Sequence, residues 1–190
     1  MSNKVEFGIQ DLHMGTFTEA SDGTVTMGPP MAIPGAISLS LDPQVMEAMM
    51  YADNTTYYKA TRDNGFTGSV EVALFSDEFK TSFMNAILLD DGGLAEVKNI
   101  NKPVVYLAFE MSGDSESRRV LLYNVTLGGI KREYKTTEDK IDIPTDSLDF
   151  TVTGDNTTNL AKVVYTEESA GYATVFTAPS APTLPALPEA

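Results

Sequence analysis

Three separated segments repeat one pattern, and it restricts the fold more than any other feature. In "IPGAISLSLD", Ile37, Leu39 and Leu41 fall on one side and Ser38, Ser40 and Asp42 on the other. "GSVEVALF" sets Val70, Val72 and Leu74 against Ser69, Glu71 and Ala73. "DSLDFTVTGD" sets Leu148, Phe150 and Val152 against Ser147, Asp149, Thr151 and Thr153. Successive side chains of a strand point to opposite faces, so a period of two marks a half-buried strand. The chain therefore reads as mainly β, with a sheet that is apolar on one face and small, polar or acidic on the other.

Further strands follow from turn chemistry. "LHMGTFTEASDGTVTMG" reads as a hairpin turning at Ser21-Asp22-Gly23, since Asp-Gly accepts the positive φ of a tight turn. "PVVYLAFEMSGDSESRRVLLYNVTL" reads as a second hairpin, looped around Gly113 to Ser117. In it Val105, Leu107, Phe109 and Met111 are expected to meet Leu121, Tyr123 and Val125. Val104, Tyr106, Ala108, Val120 and Leu122 are expected on the other face. Both faces are apolar, so something must cover each of them. A helix is expected from the Ser76 N-cap, with Asp77 and Glu78 at its positive end. Phe79, Phe83 and Ile87 repeat along it at helical spacing, and Gly92 or Gly93 is expected to end it.

Composition narrows function mainly by exclusion. The 190 residues suit one domain, placed at residues 1–177, with a tail at 178–190 whose repeated prolines predict an extended or disordered segment. The chain has no cysteine, which removes disulfide, thiol and thiolate-metal chemistry. Its single histidine, His13, sits in a strand without a nucleophile motif. "LDDGGL" and "TGDNTTN" offer oxygens but lack the calcium-loop spacing, and turn geometry explains them. No phosphate-binding or dinucleotide fingerprint occurs, and no catalytic, cofactor or metal site is expected. The net charge of −14 repels nucleic-acid phosphates and anionic membrane surfaces. No signal-type or membrane-spanning run is visible, so synthesis in a cytoplasm is expected and the sequons at Asn54, Asn124 and Asn156 are read as chance.

Residues 43–65 stand apart. They form a long connection between two patterned strands, yet carry Met46, Met49, Met50, Tyr51, Tyr57 and Tyr58. Such side chains are costly to leave in water and are favoured at protein interfaces. The segment either folds back as an extra strand pair or covers another molecule.

"PGAISLSLDP", "YADN", "NGFTGSVEVAL" leading into "DEF", and "RRVLLYN" resemble, in this order, the major tail protein of long-tailed, non-contractile phages and related prophages. The resemblance spans about residues 6 to 155. It implies a tail-tube-type β-sandwich or half-barrel with a flanking helix and a long inter-strand loop. It also implies self-assembly into stacked, hexameric rings, with tape-measure, tail-terminator and baseplate proteins as partners, in a virion tail built in the host cytoplasm. DNA would pass through without specific binding. On this reading Met46, Met49, Met50, Tyr51, Tyr57 and Tyr58 meet the next ring. Ser38, Ser40, Asp42, Glu71, Ser147, Asp149 and Thr151 face the channel, with Ile37, Leu39, Val70, Val72, Leu148 and Phe150 as core behind them. The alternatives are a carbohydrate-binding β-sandwich, with tyrosines stacking on sugars, and an acid-pair hydrolase.

Overall fold

A computed structural model describes residues 8–52, 54–113, 116–134 and 143–184, with the side chains of residues 51 and 52 left aside. The chain is mainly β. Its strands are β1 (Ile9–Glu19), β2 (Val25–Met27), β3 (Met31–Ala32), β4 (Ala36–Ala52) and β5 (Thr55–Val72). After helix α1 (Asp77–Phe83) come β6 (Ile87–Leu88), β7 (Leu94–Ala95), β8 (Val105–Met111), β9 (Arg119–Arg132), β10 (Asp146–Val152) and β11 (Lys162–Tyr165). The large sheet runs β2-β1-β8-β9-β10-β5-β4, with β3 on β1 and β11 on β9; β6 and β7 pair separately. Its pairings are antiparallel. The sheet curls until β1 and β4, far apart in its order, come within contact of each other. Among the described residues, no helix is long and apolar enough to cross a membrane.

The β1–β2 hairpin turns where expected. The Ala20 amide donates to the Thr24 carbonyl, Gly23 takes φ +81°, and Asp22 Oδ1 accepts from the Thr24 amide at 2.9 Å.

Both faces of the β8–β9 pair are covered, by two separate cores. Val105, Leu107, Val120, Leu122 and Val125 join Val70, Val72, Leu148, Phe150 and the helix residues Phe79 and Phe83 in the first. Tyr106, Ala108, Leu121 and Tyr123 join Phe17 and Val175 in the second. This exchanges the faces expected for β9 between Val120 and Tyr123. The register is Leu107 opposite Leu122 and Phe109 opposite Val120, and a one-residue slip of this kind turns every side chain over. A bulge around Asn124, held at φ +49°, then returns Val125 to the first core opposite Val105.

The second core is closed by the segment from Leu160 to Ala181. Leu160, Val163, Tyr165, Phe176 and Ala181 pack on it. Pro179 is buried, and the Tyr123 hydroxyl donates to the Ser180 carbonyl at 3.3 Å. The tail expected from residue 178 onward thus begins inside a packed segment; 185–190 lie outside the described residues. Arg119 fastens this cover. Its guanidinium donates to Glu110 at 2.9 Å and to the Tyr172 carbonyl at 2.8 Å, and lies over the rings of Tyr172 and Phe176. His13 stacks on Phe176 at 4.7 Å.

Three expectations require correction. First, α1 stops at Phe83, where Asn85 adopts φ +54°; Ile87 begins β6 and is 46% exposed. An asparagine in the left-handed region ends a helix as glycine does, two turns before "DDGG". The cap itself is as expected, with Ser76 Oγ accepting from the Phe79 amide at 3.1 Å. Second, Ile37 is 51% exposed rather than core, because the β4–β5 register shifts between Ala36 and Ser38. Leu74, beyond the end of β5, is also exposed. Third, the long inter-strand loop is not a loop, because residues 43–65 continue β4 and β5 as one antiparallel ladder to Ala52 and Thr55.

Two outcomes follow. Phe83→Ala should lower the unfolding free energy by about 3–5 kcal/mol through the cavity it leaves. Ile87→Ala should stay within about 0.5 kcal/mol. Chemical denaturation of both variants checks the helix boundary. Burial also pushes the Tyr106 hydroxyl up to about 12 from its usual 10.0, and burial followed by the Tyr165 hydrogen bond raises Tyr123 further. A phenol raised on folding contributes stability that is complete below the unfolded value near 10 and is lost as pH climbs through the folded one. Stability should therefore fall between pH 10 and 12, and the Tyr106→Phe, Tyr123→Phe double variant should flatten that fall.

Candidate functional site

The β4-β5-β10-β9 half of the sheet has one face in the first core and one face bare. Register assembles the bare face row by row. Ser38, Glu71, Ser147 and Lys131 stand side by side on the four strands. Ser40, Ser69 and Asp149 form the next row, and Asp42, Thr67, Thr151 and Thr126 the third. All seven residues expected on one polar face are thus brought together there. Ser69, already on the polar side of "GSVEVALF", completes it together with Thr67, Thr126 and Lys131. Ser69 and Thr67 share the parity of Glu71 and were legible; Thr126 and Lys131 become neighbours only through the β9–β10 pairing.

Small hydroxyls dominate this face, and they bond across the strands. Glu71 accepts from the Thr145 hydroxyl at 2.6 Å and the Ser38 hydroxyl at 3.2 Å. Ser40 and Ser69 lie 3.1 Å apart, and Gln44 Nε2 donates to Thr67 at 2.8 Å. Asp149 is paired with Lys131. The face therefore carries three carboxylates, at Asp42, Glu71 and Asp149, against one ammonium, a weaker negative field than the expected residues alone imply. Glycines flank the middle row. Gly128 and Gly129 fill the bulge opposite Asp149, and the ring of Phe150 occupies the space that a Cβ at Gly68 would need. A shallow concavity results, lined by Ser40, Asp42, Ser69, Thr126, Asp149 and Thr151.

Beyond Gln44 the β4–β5 ladder leaves the body as an arm. Eight residues, Val45 to Ala52, span about 25 Å at strand rise. Along β4, the parity of Ser38, Ser40, Asp42 and Gln44 continues into Met46, Ala48 and Met50. Opposite these stand Arg62, Ala60 and Tyr58. One strand face thus changes from polar to apolar where the arm begins. The other arm face is mixed, with Val45, Met49 and an exposed Glu47–Lys59 pair at 3.1 Å, and Tyr57 is the extra residue of a bulge beside Tyr58. Met46, Met49, Met50, Tyr57 and Tyr58 are all exposed, Tyr57 to 74%. Tyr51 pairs with Thr56 through its backbone, and its side chain lies outside the described set. These exposed side chains sit on a two-stranded ribbon rather than on a loop.

The remaining candidates resolve into local structure. His13 Nδ1 lies 2.8 Å from the Asp11 carbonyl, and its ring is stacked. Asp155 Oδ1 accepts from the Thr157 and Thr158 amides, and Asp91 Oδ1 from the Gly93 amide, as turn formers do. Among the described residues, no three His, Asp or Glu side chains group closely enough to hold a metal ion. A second concavity, between β4 and the β8–β9–β11 region, is lined by Ile37, Leu39, Leu41, Phe109, Met111 and Val164. It is the seam where the curled sheet stays open.

No protein-family model matches the chain, and no curated protein matches it. Two solved structures are similar in chain path. One is a chain of the sheath–tube complex of an extracellular contractile injection system (PVC, extended state), at 11% identity and TM-score 0.45, covering 85% of this chain and 94% of that one. The other is the anti-feeding prophage cap, a tube-terminating cap, at 11% identity and TM-score 0.42, covering 87% and 96%.

The polar face should contribute little to stability. Asp149→Asn, which breaks an exposed ion pair, should change the unfolding free energy by less than about 1 kcal/mol in chemical denaturation. A loss of several kcal/mol would show that the pair braces the sheet.

Proposed function

We propose that the chain is a non-enzymatic tail-tube subunit that assembles with its own copies into stacked rings around a channel. The observation that carries this reading is the continuous strand face from Ser38 to Met50. It is bare, hydroxyl-rich and weakly acidic over the body, then apolar along the arm. A sheet face of that kind suits the wall of a conduit for DNA. Duplex DNA carries about one negative charge per 1.7 Å, and a basic lining would hold it. Small hydroxyls and a few carboxylates offer no deep site, and screening beyond about 8 Å requires the carboxylates to face the channel to act at all. The arm suits contact with a neighbouring ring. Burying one exposed Met or Tyr side chain there contributes about 1.5–3 kcal/mol, and repetition around a ring multiplies it.

The motif resemblance supports the same assignment, and it is what points to a long-tailed, non-contractile phage. It also brings tape-measure, terminator and baseplate proteins as partners, and a virion location.

Electron microscopy of the concentrated, purified protein tests the reading. Rings or tubes are expected, with Ser40, Glu71, Asp149 and Thr151 facing the channel in a reconstruction. A strictly monomeric protein at every concentration, or tubes with this face outside, would refute it.

A further inference from the structure

The segment after α1 continues helical spacing in sequence but forms a small separate hairpin. Ala86 donates its amide to the Lys80 carbonyl at 3.0 Å, and Asn85 Nδ2 donates to the Asn101 carbonyl, which together fix its base. From there Ile87, Leu88, Leu89, Val97 and Ile100 stand 40% to 67% exposed. Asp90, Asp91 and Glu96 are exposed among them, against a single lysine, Lys98. Monomeric proteins rarely leave apolar groups clustered in this way without a use.

The arm presents the complement. Its apolar face holds Met46, Ala48, Met50, Tyr58 and Ala60, with Arg62 as the cation on that face. An exposed arginine set among methionines is complemented by an apolar surface with carboxylates at its edge. The acid-rimmed apolar hairpin is one. Two different, complementary patches on a single chain are what a head-to-tail interface requires, and such an interface propagates from copy to copy.

We infer that the β6–β7 hairpin is the receptor for the arm of a second copy of this chain. Met46, Met50 and Tyr58 lie on Ile87 and Leu89, which share one side of the β6 segment, and Arg62 meets the carboxylates of Asp90, Asp91 or Glu96. The assignment rests on the tube reading and supplies the other half of its inter-ring contact.

Two variants test it, each made only of exposed positions: Met50→Ser with Arg62→Glu on the arm, and Ile87→Ser with Leu89→Ser on the receptor. Circular dichroism and thermal unfolding establish that both fold. Sedimentation and microscopy should show that neither forms tubes alone. Mixed after purification, they retain one intact arm and one intact receptor. The mixture should therefore give a finite 1:1 complex of twice the mass of either variant, and no tubes. If either variant polymerises like the unaltered chain, or the mixture gives no heavier complex, the arm seats elsewhere or on another protein, and the inference fails while the tube reading stands. If the unaltered chain itself forms no assembly, both fail.

Discussion

The β8–β9 ladder is apolar on both faces, and a strand pair in that state is not stable in water until each face is covered. The rest of the body answers this constraint. On one side the curled sheet and the aromatic face of α1 close over Val105, Leu107, Val120 and Leu122. On the other, the segment from Leu160 to Ala181 lies over Tyr106, Leu121 and Tyr123, and Arg119 holds it there through two hydrogen bonds and two rings. The segment from Leu160 to Ala181 is therefore a layer of the fold and not an appendage to it.

With both cores satisfied inside one subunit, the polar face of β4-β5-β10-β9 remains bare without any need for cover, while the arm and the β6–β7 hairpin remain bare at a cost. Apolar area left in water is unfavourable in proportion to its extent. The exterior thus divides into apolar regions on two elements and a polar region on a third surface. That division is the physical content of the tail-tube proposal.

Much of this was legible in the residues. Strict alternation placed Leu148, Phe150 and Val152 inside and Ser147, Asp149 and Thr151 outside, as the structure has them, because a strand has two faces and its parity cannot drift. The two-sided hydrophobicity of "VVYLAF" and "VLLYNV" announced a central pair. Parity failed where backbone irregularities intervened. The bulge at Asn124 and the slip at Ile37 each depend on pairing partners far along the chain. The helix was overextended because Ile87 continues its spacing, and only the left-handed Asn85 shows that the turn has ended. Residues 43–65 read as a loop because their exposed methionines and tyrosines break the alternation that marks a half-buried strand. A ribbon with no core beneath it has no buried face to record.

Gly65 sits where β5 carries an extra residue, at the point the arm leaves the body. Its φ is +83°, and a Cβ there would lie 2.0 Å from the carbonyl oxygen of Val152 on β10. The arm thus has no linker at its root. It is the same pair of strands as the polar wall, bent once over a neighbouring backbone. The strand that forms one side of the arm is therefore the same strand that β10 pairs with in the polar face, so arm and polar face share one continuous backbone across the β5–β10 rungs.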